Sequence, residues 1–181
     1  MSFPETNILD TFSIDSGPPP TGWLFTYSDV VATATTVSGE LLMHIIAGGD
    51  TGSIYWSAET FTADQECYIT LGSTPIVADS YGALMLRITD PEDETIDGYK
   101  ARFFNNLDVD IIRISTGDTV LSGESVSSLA TGDGIGFRVE GTTLTLFHKP
   151  AAGAWAQIAQ TTDSSVSGAG YIGVESQLVL E

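Results

Sequence analysis

Positive charge is what this sequence has least of. Two lysines and four arginines stand against 24 acidic residues among 181, for a formal charge of −18. A nucleic-acid surface needs clustered Lys and Arg to displace phosphate counterions, and six scattered cations cannot build one. Docking on anionic lipid is excluded on the same ground. Cysteine is almost absent as well. Cys67 stands alone, which rules out an intrachain disulfide and a cysteine-rich metal framework. The two histidines, His44 and His148, show no H-x-x-x-H or H-x-H spacing, so a zinc site would need distant ligands. Long apolar runs are missing too: Leu41–Ala47 is far shorter than the roughly 20 residues that span a bilayer as a helix. Met1–Thr6 lacks the basic and apolar regions of a secretory signal, so the expectation is a protein made without a cleaved export signal, or a piece of a longer one.

What the chain does have is apolar content and turn residues. It is 42% hydrophobic with mean hydropathy +0.14 and 19 glycines, ample for a core despite the acidity. Runs of five to nine Thr, Val, Ile and aromatic residues alternate with Gly, Asp, Ser and Pro, and helical periodicity is nearly absent. In Gly134–Glu140, Ile135, Phe137 and Val139 point one way and Gly136, Arg138 and Glu140 the other. Leu144 and Leu146 continue the first face after a tight turn at Glu140-Gly141. About a dozen such runs, from Val30–Val37 to Gly170–Glu175, predict an all-β, two-sheet antiparallel sandwich formed as a single domain over residues 1–181. Residues 1–7 are read as a short lead and Leu180-Glu181 as a cloning remnant. The stiff Gly17-Pro18-Pro19-Pro20 run follows Ile8, Leu9, Phe12 and Ile14, which are expected to form a strand docking on the core. One helical turn is expected at Ser125–Ala130.

The order of features carries a resemblance. Asp10-Thr11-Phe12 is followed by a Pro/Gly loop and Gly22-Trp23, then by Gly98-Tyr99-Lys100-Ala101-Arg102-Phe103. Next come Gly132-Asp133-Gly134-Ile135-Gly136-Phe137 and, last, Ala169-Gly170-Tyr171-Ile172-Gly173. Over roughly Asp10 to Glu175 the chain resembles the concanavalin A-like lectin/glucanase superfamily, in its laminin-G-like branch. The resemblance implies a jelly-roll sandwich whose concave sheet or loop edge often binds glycans, sometimes beside a structural calcium. Similar domains occur in bacteriophage structural proteins and in secreted carbohydrate-active proteins. By location alone, Asp10 and Glu175, with Asp15 close in sequence, fall where such families share the ion. No other cofactor is implied.

Catalysis finds little support in the residues. A glycosidase needs two carboxylates facing one cleft, roughly 5 to 10 Å apart, and the glucanases of this superfamily alternate theirs along a strand as E-x-D-x-x-E. The acidic run Asp90–Asp97 instead lies between two strong strands, which makes it a solvated hairpin loop. Cys67, flanked by Glu66 and Tyr68, lacks the electropositive setting of a reactive thiolate. No serine sits in a G-x-S-x-G elbow. Aromatic residues are the better guide, because sugars stack their C–H faces on Trp and Tyr rings. Tyr55-Trp56 follows the glycine-rich loop Gly48–Gly52, and period-two geometry turns the two rings to opposite sides. Asn105 and Asn106 follow Phe103-Phe104 and supply polar contacts. Tyr55, Trp56, Asn105 and Asn106 are therefore the expected glycan residues, with Trp23 and Trp155 anchoring the interior. The function expected is a non-catalytic binding or structural module. A phage virion surface, decoration or tail-associated domain leads, assembled in the host cytoplasm, with glycan or other virion proteins as partners and a homo-oligomer compatible with an apolar sheet face. The alternative is an extracellular carbohydrate-binding module of a multidomain enzyme, and a glycoside hydrolase or lyase comes third.

Overall fold

The computed structural model describes residues 3–12, 18–26, 32–45, 51–72, 80–93 and 95–177. Thirteen strands are found there: β1 (Trp23–Phe25), β2 (Ala32–Val37), β3 (Glu40–Ile45), β4 (Thr51–Trp56), β5 (Gln65–Thr70), β6 (Tyr81–Thr89), β7 (Asp97–Phe104), β8 (Asp108–Ile114), β9 (Asp118–Ser125), β10 (Gly134–Glu140), β11 (Thr143–Lys149), β12 (Ala156–Thr162) and β13 (Tyr171–Gln177). They form an antiparallel seven-stranded sheet in the order β1-β4-β13-β6-β7-β8-β9, a four-stranded sheet β12-β11-β10-β5, and the hairpin β2-β3. The all-β sandwich expected from the alternation is what the chain forms, with the jelly-roll form that the resemblance implies.

The cross-strand register explains which residues meet. Val174, Leu84, Ala101 and Ile111 lie in one row across β13, β6, β7 and β8. With Ile135, Phe137, Val139, Leu144 and Leu146 from the second sheet they close the main core, so the face expected for Ile135, Phe137 and Val139 is the buried one. The neighbouring row, Glu175, Ala83, Arg102 and Asp110, turns to the outer side of the seven-stranded sheet, because successive residues alternate. The hairpin β2-β3 covers the inner side at the β1–β4 end, where Ala34, Trp23 and Ile54 pack with Phe25, Leu41 and Met43.

Three local expectations are corrected. Residues 3–12 contain no strand: Ile8 and Leu9 are 63% and 38% exposed, while Phe12 packs on Trp23, and Ile14 lies outside the described residues. No helical turn forms after Ser125. That residue ends β9, and the buried Val126 continues into irregular chain through a hydrogen bond to Leu107. Trp155 is not an interior anchor. It lies on the outside of the four-stranded sheet against Gly134, Phe3 and Tyr68.

Strand β6 reads as uninterrupted in sequence but is irregular at Arg87, whose φ is +52°, where pairing shifts between Leu86 and Thr89. The bulge sends the arginine, 1% exposed, into the end of the sandwich. Its guanidinium donates to the carbonyls of Ala63, Val166 and Gly141, and its backbone N–H donates to Gln65 Oε1 at 2.7 Å. Three loops from both sheets therefore converge on one cation. The chain can pass this close because position 170 is glycine: a Cβ there would lie 2.6 Å from the Arg87 carbonyl carbon. Replacing the buried Arg87 with Met removes its hydrogen bonds to three partly buried carbonyls, so R87M is expected to lose about 3 kcal/mol of folding stability. Urea unfolding at neutral pH measures this, and an unchanged midpoint would show that the convergence carries no stability.

Candidate functional site

The outer side of the seven-stranded sheet buries a charged network around Lys100 and Glu175. Lys100 Nζ donates to Glu175 Oε1 at 2.8 Å and lies 3.0 Å from Asp118. Tyr81 Oη donates to the same Glu175 oxygen at 2.7 Å. Burial alone would lower the Lys100 pKa, but the Glu175 carboxylate outweighs it and the ammonium is held above its ordinary range. Arg102 makes a two-pronged pair with Asp110, at 2.9 and 2.7 Å, and its guanidinium lies 5.2 Å over both the Tyr81 and Phe104 rings. Phe104 is half-buried, edge-on to Tyr81. The geometry follows from Lys100-x-Arg102-x-Phe104 along β7: period two puts an ammonium, a guanidinium and a ring on one side. Glu175, Asp110 and Asp118 all face a cation here, an arrangement that fixes the charged groups in place.

The expected aromatic pair divides as the period requires, with Tyr55 buried and Trp56 partly buried. Trp56 turns inward, edge-on to Trp23 at 5.6 Å beneath the β2-β3 hairpin, and its buried Nε1 finds no acceptor among the described residues. Tyr55 turns outward and is only 4% exposed, packed with Met85, Ile88 and Ile114 and edge-on to Tyr171. Its hydroxyl donates to Glu92 in the β6–β7 loop at 2.8 Å. Burial, then the Glu92 hydrogen bond and charge, push its pKa up to about 12. Asn106 is exposed at the β7–β8 turn but is engaged locally, donating to Asp108 Oδ2 and accepting the Asp108 N–H. Asn105 precedes it, half-buried.

The carboxylates expected around calcium have other partners. Asp10 accepts the Phe12 N–H at 2.8 Å with one oxygen and the Trp23 indole N–H at 2.9 Å with the other, which makes it a turn-former that also anchors the core tryptophan. Glu175 is held by Lys100 and Tyr81, and Asp15 lies outside the described residues. Among the described residues no group of three or more His, Cys, Asp or Glu side chains is gathered as a metal would require. The acidic run forms the β6–β7 loop, as expected: Asp90 accepts the Asp93 N–H with its carbonyl, while Glu94 is outside the described residues.

The remaining candidates have structural roles. His148 is buried with Nε2 3.1 Å from Asp133, and Asp133 also accepts the N–H groups of Ala130 and Ala151. Cys67 packs against the main core, and burial, then the Glu66 charge, raise its thiol pKa. Glu40–Ile45 places His44 in β3. At the Arg87 end a polar cleft of about 510 Å³ is lined by Asp97, Arg113, Ser115, Ser165 and Ser167, with Arg113 tied to Asp163 at 3.1 Å. Neither this cleft nor the Lys100–Glu175 network was singled out by sequence reasoning, although the alternation along Tyr99–Phe104 contains the signal for the network.

Comparison with known proteins places the fold. No family model and no curated protein matches the chain. Among solved structures, it is similar to the carbohydrate-binding module CBM66 from Bacillus subtilis, with TM-score 0.66 and 16% identity over 88% of this chain and 94% of that one. It is similar too to a Bacillus subtilis protein of unknown function with a galectin-like fold, with TM-score 0.65 and 12% identity over 90% and 86%. A third similar structure is the exoplasmic/lumenal domain of VIP36 in its Ca²⁺/Man3GlcNAc-bound form, with TM-score 0.63 and 15% identity over 92% and 80%. The chain has the concanavalin A-like lectin fold.

The buried carboxylates give the fold an acid limit. Burial by itself would raise Asp133, Asp163 and Glu66, yet hydrogen bonds from His148, Tyr99 and Arg138 respectively, with backbone N–H groups, hold all three below their ordinary values. A depressed folded pKa means that the unfolded chain takes up protons first. The stabilisation is therefore complete above about pH 4 and is lost as pH falls through the folded values. Melting temperature is expected to drop steeply below about pH 4, with a shallower drop in Asp133→Asn; identical slopes in variant and parent would remove Asp133 from this account.

Proposed function

We propose that this chain is a non-catalytic glycan-binding module. The observation that carries the reading is the half-buried Phe104 ring beside Arg102, Asp110 and Asp118 on the outer side of the seven-stranded sheet, next to the turn that presents Asn105 and Asn106. An apolar ring beside fixed donors and acceptors is the combination that holds a sugar: the ring takes a C–H face and the polar groups take the hydroxyls. The fold adds support, since similar structures include a carbohydrate-binding module and a lumenal domain bound to Man3GlcNAc. The charge of −18 favours neutral glycans over sulfated or uronic ones, because an anionic ligand would approach against the protein's own field.

A glycan array followed by calorimetry tests this. Phe104→Ala is expected to weaken sugar binding by about 1 to 3 kcal/mol, the range seen for ring stacking on bases, with folding intact. Trp56→Ala is expected to cost about 3 kcal/mol or more of stability, as loss of a core ring does. A glycan that binds the Phe104 variant as tightly as the parent puts the site elsewhere, with Tyr55 then next for testing. Reducing-sugar release abolished by one Asp or Glu substitution would overturn the non-catalytic reading.

The finer reading is a phage virion surface, decoration or tail-associated domain, with an extracellular carbohydrate-binding module as the alternative. Immunogold labelling of purified virions separates them. Structural calcium belongs to this proposal as well. A site loaded at a hundred times its dissociation constant adds about 2.7 kcal/mol, so melting in excess calcium against chelator should differ by several degrees. Coincident curves exclude a tight site. A shift that Asp10→Ala abolishes assigns it to the Asp10 region.

A further inference from the structure

The second outer face, on the four-stranded sheet, holds a different kind of site. Two glycines of β10, Gly134 and Gly136, place no side chain on it, and aromatic rings occupy the space. A Cβ at Gly136 would lie 2.3 Å from the Phe3 ring, and one at Gly134 would lie 2.6 Å from Trp155. Phe3 stacks on Phe147 with centroids 4.1 Å apart and planes 10° from parallel. It meets Trp155 edge-on at 4.9 Å and Tyr68 at 6.4 Å, and the Arg138 guanidinium lies 5.2 Å over its ring. The slot is thus a place for one aromatic side chain.

Beside the slot, the backbone of the same segment is read as well. Glu66, buried in β5, receives two N–H groups from Arg138 on one carboxylate oxygen. Its other oxygen accepts the backbone N–H groups of Glu5 and Thr6 and the Thr6 hydroxyl. The Glu5 carboxylate lies 3.7 Å from Arg138. Without the segment, a buried carboxylate oxygen would lose three donors, a costly state for a charge. Residues 7–9, which join the segment to Asp10, are all exposed, including Ile8 and Leu9. Recognition is therefore concentrated in four residues at the end of an unpacked tether.

We infer that this face is a peptide-recognition site for a short segment reading aromatic, proline, acidic, threonine. Residues 3–6 fill it in cis, and the partner it fits in trans is the same segment of a second copy of this chain. The second copy supplies an identical ring and identical N–H groups, so nothing in the contact distinguishes cis from trans except proximity. A tethered segment competes at an effective concentration of about millimolar. Mutual repulsion between two −18 chains opposes the trans form, so salt favours it.

Two full-length variants separate the halves of the contact. Phe3→Ala opens the slot but carries an inert segment, and Gly136→Leu closes the slot but carries an intact segment. A fluorescent peptide of residues 2–9 is expected to bind the Phe3→Ala chain saturably, the parent about tenfold more weakly through cis competition, and the Gly136→Leu chain not at all. A peptide with Phe3 replaced by Ala should not bind. Mixing the two variants in about 1 M salt, where repulsion is screened, is expected to give a 1:1 complex in sedimentation that neither forms alone. Absence of saturable peptide binding to the Phe3→Ala chain, or equal binding to Gly136→Leu, overturns the site. Peptide binding without a mixed complex overturns the second copy as partner. Both substitutions lie on the face opposite Phe104, so glycan binding should survive in each, and failure of one proposal does not imply failure of the other.

Discussion

A buried arginine at a bulge closes one end of this sandwich. Two β-sheets sharing an apolar core are free to slide unless something directional ties them, because burial of apolar area has no preferred geometry. Arg87 supplies direction. It leaves β6, in one sheet, and donates to Gly141 in the β10–β11 turn of the other, to Ala63 just before β5, and to Val166 in the β12–β13 connection. The fork of the guanidinium suits three carbonyls at once, which an ammonium would not match. Holding φ at +52° on a residue with a Cβ costs about 1 to 2 kcal/mol, and the hydrogen bonds offset it.

The same economy runs through the other cations. Lys100 binds Glu175, Arg102 binds Asp110, Arg113 binds Asp163 and Arg138 binds Glu66. With Arg87, five of the six basic side chains fasten one part of the fold to another, and Lys149 alone has no such partner among the described residues. Each pair joins residues far apart in sequence except Arg102–Asp110, which pins a single hairpin. The two outer faces consequently differ in kind. On the seven-stranded sheet, ion pairs are lined by two rings. On the four-stranded sheet, rings surround one ion pair and leave a slot.

Strand content and facing were legible because period-two alternation survives in Gly134–Glu140 and Thr143–Lys149, where one side is always apolar. The bulge at Arg87 was not: Ala83–Thr89 has the composition of a straight strand, and only the partner loops show why it bends. Trp155 was misjudged as interior because large aromatics favour burial, yet two glycines on the facing strand offered it a bed outside the core. The N-terminal Ile8 and Leu9 read as a strand from their hydrophobicity, whereas the affinity of the segment lies in Phe3 and in backbone groups that no composition records. At the candidate site, sequence spacing correctly split Tyr55 from Trp56, but whether a loop such as Asp90–Asp97 covers the outward ring depends on a contact 37 residues away, from Tyr55 to Glu92.

Spending the cations inside the fold also determines what the surface is. Their charge is matched locally by Glu66, Asp110, Asp163 and Glu175, and with 24 acidic residues against six basic ones the chain keeps a formal charge of −18. Added surface lysines would be tolerated by the core and would lower the charge repulsion between two copies. Removing any of the internal cations would instead leave a buried carboxylate or carbonyl uncompensated. Positive charge is therefore scarce on the outside and costly to remove from the inside. In this chain the excess of acidic residues sets the net charge, while shape comes from the core and the five cations that fasten it.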